Sequence, residues 1–169
     1  MGLRRDARER AVQFLFQCEQ NQPEDLDLAL NEFWETVRLV EFDKSNKTPR
    51  YGKQVELPPP TVEEMAVRSF ADQLIRGVLQ HKEECDNIIK KYLKNWDFER
   101  VALIDRNILR LATYEMLFRE DIPPVVSINE AVDIAKKYST EESGKFVNGI
   151  LDKIKADILR PSRESTSDK

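Results

Sequence analysis

The sequence predicts an all-α protein of about seven helices, forming one compact domain or two small lobes that share a core. Three observations predict it. Apolar residues recur at i, i+3, i+4 spacing along nearly the whole chain, the signature of amphipathic helices. The only strand-like pair, Val125-Val126, is too short to build a sheet. Five glycines in 169 residues are too few for a turn-rich β fold.

The first helix starts near the amino terminus, with Ala7, Ala11, Phe14 and Leu15 on one face. A loop around Pro23 separates it from a second helix carrying Leu26, Leu30, Phe33, Trp34, Val37 and Leu39, whose pattern fades near Val40. Residues 41–60 contain three consecutive prolines in a polar stretch and predict a long flexible loop. Thr61, with Glu64 three residues on, has the capping-box spacing that opens a third helix through Phe70, Leu74, Ile75 and Val78. A fourth helix is predicted near Glu83–Lys94, and Asp97 is placed to cap the next. The longest regular stretch, Phe98 to Arg119, ends at Pro123-Pro124. Ser127 with Glu130, and Ser139 with Glu142, repeat the capping spacing ahead of two further helices. Residues 1–160 then form a single helical domain, and the polar residues 161–169 a disordered tail.

Composition narrows the function classes. Charged residues make up 34% of the chain and hydrophobic residues 40%, the balance of a water-soluble domain. No apolar run approaches the roughly 20 residues needed to cross a bilayer, and the opening MGLRRDARER is unlike a secretion signal, so a cytoplasmic location is expected with no membrane partner. Cys18 and Cys85 read as reduced side chains. His81 is the sole histidine; with Cys85 at i, i+4 it lacks further soft ligands, so no metal site is expected. No phosphate loop, dinucleotide fingerprint or nucleophile elbow is present, which leaves neither a catalytic residue nor a cofactor to assign. The acid pairs Glu63-Glu64 and Glu141-Glu142 sit where helix starts favour negative charge.

The formal net charge of −4 does not exclude a local basic patch. Arg4 and Arg8 lie one turn apart, Arg5 neighbours Arg8 on the i, i+3 ridge, and Arg10 borders the same side. Guanidinium groups pair bidentately with phosphate and stack on bases, so this cluster is a candidate RNA contact. The alternative is a solvated helix face in which the arginines pair with Asp6 and Glu9.

Four segments go further. Arg5 to Phe16 (RDARERAVQFLF) resembles the arginine-rich opening of the NusB transcription antitermination factors. Arg106 to Glu115 (RNILRLATYE) is similar to that family's central helix, and Pro123 with Ile128 to Lys137 (INEAVDIAKK) to its next signature. Lys145 to Asp152 (KFVNGILD) is similar to its last. Inside that segment Gly149 weakens a helix, so a close approach to another backbone is expected there, with Asn148 hydrogen-bonding across it.

The resemblance implies two helical lobes in one bundle. It also implies a non-enzymatic factor that binds single-stranded boxA-type RNA of nascent ribosomal transcripts. It would act with the small-subunit ribosomal protein NusE, in an antitermination complex with RNA polymerase. Carried over by position, Arg4, Arg5, Arg8 and Arg10 would contact RNA, with Lys145 and Phe146 beside them. Phe146 reads equally as a core-edge aromatic. Asp105 would face the basic ribosomal protein, or be a plain solvated residue. Asp6 interrupts the basic segment, which points to weak RNA binding by the protein alone. Two readings compete. One is a protein–protein adaptor that has lost RNA binding, with Asp6 as its best support; the other is an RNA cytosine methyltransferase, which would need a catalytic α/β domain with a nucleophilic cysteine downstream of these helices. A homodimer that hides the arginine surface also stays open.

Overall fold

The computed structural model describes residues 2–45, 56–93 and 97–167. Among these residues there are seven α-helices, one short 3-10 turn and no strand. The helices are α1 (Leu3–Gln20), α2 (Leu26–Ser45), α3 (Val62–Gln80), α4 (Lys82–Lys91), α5 (Leu103–Phe118), α6 (Pro124–Tyr138) and α7 (Glu141–Ser167). The all-α expectation holds, and none of these helices is long and apolar enough to cross a membrane.

Helix α5 is the axis of the bundle. From Asn107 to Met116 every residue is buried, polar ones included, because α1, α3, α4, α6 and α7 all pack against it. A helix buried on all sides lies at the centre of a protein, not on its face. Helices α6 and α7 form one lobe with α5, and α1 with α3 the other. Helix α2 covers the second lobe through its aromatic side chains. Phe33 meets the edge of Phe14 with ring centroids 5.3 Å apart, and the Trp34 indole nitrogen donates to Asp72 at 2.8 Å.

Helices α1 and α5 run antiparallel, since Arg8 pairs with Glu115 while Glu19 pairs with Arg106 and Arg110. The second of these ionic clusters also takes in Asp86 of α4, which accepts from Arg110 at 2.6 and 3.0 Å. Beneath it the buried Phe98 ring is faced by Lys90, Arg106 and Arg110 at 5.2–5.5 Å. Contact with the ring helps stabilise the Arg106 and Arg110 guanidinium groups where water is scarce.

Several element boundaries differ from expectation. The Thr61 cap forms as predicted, its hydroxyl accepting from the Glu64 amide at 3.1 Å. Helix α2 continues through Ser45, so residues 41–45 are helical; Arg10 reaches across to Glu41 at 3.0 Å there. Of the predicted 41–60 loop, residues 46–55 lie outside the described residues, and Arg38 donates to the Pro58 carbonyl in the remainder. Residues 98–119 are not one helix: Phe98–Arg100 is a separate 3-10 turn, and Asp97 makes no side-chain cap. Ser127 lies inside α6, which starts at Pro124, where a proline suits the first turn because its missing amide hydrogen has no partner to lose. The cap of α7 is Thr140 instead of Ser139, accepting from the Ser143 amide at 3.0 Å. Helix α7 also runs past Pro161 to Ser167, where a disordered tail is expected from 161.

Close helix approach occurs at Gly77, not Gly149. A Cβ at Gly77 would fall on the Tyr114 ring, so only glycine lets α3 reach α5 there. Tyr114 in turn stacks with Phe118, and Phe118 with His81 at 3.9 Å between centroids. His81 is thus an aromatic partner on the surface of the bundle, with Glu84 3.1 Å from its Nδ1.

Both cysteines are free thiols, Cys85 fully buried and Cys18 partly so. Burial, with smaller contributions from Asp86 and Glu84, pushes the Cys85 thiol up to about 12. The raised value means that the folded state favours the protonated thiol. Its stabilising contribution is complete below the unfolded value of about 8.5 and is lost as pH rises toward 12. Alkylation with iodoacetamide at about pH 8.5, followed by mass spectrometry, should label Cys85 only after denaturant is added. Labelling of native Cys85 at the rate of a free thiol would contradict this core.

Candidate nucleic-acid interface

The amino-terminal arginines do not form a stripe. They radiate from α1 toward four different parts of the protein. Arg4 is exposed and lies 4.0 Å from Asp121, with its guanidinium 4.7 Å from the Phe70 ring centre. Arg5 turns to α6, donating to Glu130 at 2.6 Å and to Asp133 at 2.7 Å. These bonds, that to Glu130 first, hold its guanidinium even further above its ordinary range. Arg10 turns to α2, pairing with Glu41 at 3.0 Å and with Gln13 at 3.1 Å.

Arg8 lies inside the protein and not on the surface that its expected role as an RNA contact calls for. Its side chain is 3% exposed, and its Nε and Nη2 donate to the two Glu115 oxygens at 2.9 and 2.8 Å. Glu115, 1% exposed, also accepts from the Ser127 hydroxyl at 3.0 Å. The physical reason lies in the register of α1. Arg8 falls between Ala7 and Ala11 on the face that packs on α3 and α5, so the arginine must follow its helix inward. A bidentate carboxylate is what makes a guanidinium tolerable there. The alternative reading, pairing with Asp6 and Glu9, fails as well: Glu9 is itself buried and accepts from Lys137 of α6 at 2.6 Å.

Asp105 is also displaced from its expected place. It is buried, not solvated or presented to a partner, and accepts from the Ser143 hydroxyl at 3.0 Å. Burial raises its pKa, while the hydroxyls of Ser143 and Ser139 oppose the rise. Asp105 therefore anchors the α6–α7 turn to the start of α5.

Lys145 and Phe146 stand in the second turns of α7. Lys145 is exposed, 3.6 Å from Glu142, and Phe146 is half-buried against the core. The expected inward contact of Asn148 and Gly149 is absent: both are exposed, and a Cβ at Gly149 would meet nothing within 4 Å. Sequence reasoning took the glycine as a sign of internal packing; only the phase of α7, set by buried Val147, Ile150, Leu151 and Ile154, shows that it points out. Of the six RNA candidates, Arg4 and Lys145 are exposed, Arg5, Arg10 and Phe146 are half-buried, and Arg8 is enclosed. Helix α6 lies between Arg5 and α7, adding Lys136, Lys137 and the exposed Tyr138, which the motif search passed over as part of an architectural helix. Among the described residues no cluster of three or more His, Cys, Asp or Glu could hold a metal ion.

These features define an all-helical module whose surface offers cations, an aromatic edge and hydrogen-bond donors. The family model described as NusB family matches residues 5–156, and the chain belongs to the NusB family. It is 44% identical over 157 residues to the transcription antitermination protein NusB of Methylacidiphilum infernorum, covering 93% of each chain. Among solved structures, NusB of T. maritima superposes with a TM-score of 0.66 at 38% identity, covering 90% of each chain. A structure of antitermination factors NusB and NusE in complex with dsRNA gives 0.67 at 28% identity, covering 93% of this chain and 98% of that one. The transcription antitermination protein NusB of Bacillus subtilis is likewise 41% identical over 155 residues, covering 92% of this chain and 96% of that one.

Removing one member of a buried ion pair leaves an uncompensated charge. Arg8→Ala is accordingly expected to lower unfolding stability by about 3–5 kcal/mol. Arg4→Ala, at an exposed pair, should change it by less than about 1 kcal/mol. Urea unfolding of the two variants checks the contrast, and equal midpoints would remove Arg8 from the core of the argument.

Proposed function

We propose that this chain is an RNA-binding transcription antitermination factor. In this reading it acts with NusE on boxA-type RNA of nascent ribosomal transcripts, suppressing premature termination at RNA polymerase in the cytoplasm. It catalyses no reaction. The observation that carries the proposal is membership of the NusB family across residues 5–156, within which relatives are named antitermination proteins. The neighbour crystallised with NusE and dsRNA supports both partners.

Within this reading the direct contacts are Arg4 and Lys145, with Phe146 as the aromatic edge and Arg5 and Arg10 at the margins. Arg5 and Arg10 must exchange carboxylates of Glu130, Asp133 and Glu41 for phosphate. Such an exchange yields less than a free arginine would, and it agrees with weak RNA binding by the protein alone. Arg8 positions α1 and does not touch RNA. Asp105 serves the protein partner by fixing the α6–α7 turn, not by offering a free carboxylate.

The internal pairing of Arg5, Arg8 and Arg10 favours a second reading, an adaptor that joins proteins without binding RNA. A titration of labelled boxA RNA, with and without NusE and across salt concentrations, separates the two. Binding should tighten with NusE. Arg4→Ala and Lys145→Ala should each weaken it and flatten the log–log salt slope by about 0.7 per lost phosphate contact. Retention that is unchanged by either substitution and insensitive to salt would favour the adaptor.

A further inference from the structure

Two arginines of α1 grip carboxylates with the same edge of the guanidinium group, and only one of the two grips is sealed. Arg8 offers its Nε and Nη2 to the two oxygens of a single carboxylate, Glu115, where neither side chain is more than 3% exposed. Arg5 offers the same two nitrogens to two different carboxylates, Nε to Glu130 at 2.6 Å and Nη2 to Asp133 at 2.7 Å. Glu130 and Asp133 stand three residues apart on α6, so they share one face and reach the arginine together. Each holds Arg5 by a single bond. Arg5 and Asp133 are 33% and 50% exposed, so water and solutes reach the site.

We propose that Glu130 and Asp133 form a self-inhibitory latch on Arg5, which RNA must displace before this arginine binds a phosphate. The inference rests on the RNA-binding reading and deepens it, by naming residues that set how tightly the free protein holds RNA. The Nε–Nη2 edge is one that a guanidinium uses to pair with phosphate, and both of its donors are taken. A phosphate presenting two oxygens to this edge replaces two single bonds with one paired contact, so exchange is open to it. At Arg8 it is closed, because the carboxylate there is already bidentate and removed from water. Opening the latch leaves the fold in place, since α6 keeps two other ties. Lys137 donates to Glu9 of α1 at 2.6 Å, and the Ser127 hydroxyl donates to Glu115 of α5 at 3.0 Å. The latch also filters ligands. An isolated anion gains little by opening it, whereas an RNA already held at exposed Arg4, one residue away, meets Arg5 at high effective concentration.

Replacing the two acids by their amides in the full chain tests the latch, because a lost contact should then improve binding. Asp133→Asn and Glu130→Gln should each tighten binding of single-stranded boxA RNA by the protein alone about threefold, the scale of a part-exposed ion pair. Asp133→Asn should leave Tm within about 2 °C of the parent. Asp6→Asn is the control: it removes the same charge beside Arg5 but frees neither of the two bonded nitrogens. It should tighten binding by less than about 1.5-fold, the effect of a screened charge alone. An equal gain from Asp6→Asn would reduce the effect to bulk repulsion and overturn the latch. A fall in Tm of more than about 5 °C for Asp133→Asn would make the contact a structural tie and overturn it too. Unchanged or weaker RNA binding by both amide variants, while Arg4→Ala and Lys145→Ala still weaken it, overturns the latch and leaves the RNA reading intact. If Arg4→Ala and Lys145→Ala have no effect on RNA either, the RNA reading itself falls and takes the latch with it.

Discussion

The bidentate contact between Arg8 and Glu115 sets the terms for the rest of the molecule. Both groups are removed from water, so each depends on the other to avoid a desolvation penalty of several kcal/mol. That requirement locks α1 against α5 in register, and Ser127 extends it to α6 through the shared Glu115 oxygen. Three helices from both lobes thus meet at one carboxylate. At the other end of the same seam, Glu19 meets Arg106 and Arg110. Between the two clusters lie about three helical turns, over which Ala11, Val12 and Leu15 pack in close apolar contact. The ionic ends fix register, and the apolar middle supplies most of the free energy.

This arrangement explains how a protein of net charge −4 uses an arginine-rich helix. Most of its arginines are structural ties: Arg5 to α6, Arg8 to α5, Arg10 to α2. Helix α1 is consequently a hub before it is a ligand surface. A phosphate chain approaching it competes with carboxylates already in place, so the free protein is expected to hold RNA loosely. A partner that brings its own positive charge changes that competition without altering the fold. The three carboxylates on the rim, Glu41, Glu130 and Asp133, would then also serve as contacts for a basic protein.

Much of the fold was legible because helix periodicity reports burial directly. Ala7, Ala11, Phe14 and Leu15, read from spacing, are all in the core, and the Thr61 cap forms as its motif requires. The less legible parts depend on tertiary geometry. Arg4 and Arg8 share chemistry and lie one turn apart, and spacing alone cannot say that the first stays exposed at the helix start while the second is enclosed. Ser127 matched a capping pattern, yet its hydroxyl serves Glu115, a partner twelve residues away that no local motif encodes. Asp105 likewise read as facing a basic partner or solvent, whereas Ser143, thirty-eight residues on, supplies its donor.

Gly149 shows the same limit from the other side. A glycine within a helix signals that something comes close, but the residue type is silent on whether that neighbour belongs to the same molecule. Gly77 and Gly144 have internal neighbours, and Gly149 does not. Helix α7 therefore divides its labour by face. Val147, Ile150, Leu151 and Ile154 hold it to the bundle, and those four anchors stabilise it enough to carry an exposed residue that disfavours helix. The rigidity of the inner face is thus what permits an open, backbone-accessible outer face, and one signature segment, Lys145 to Asp152, contains both.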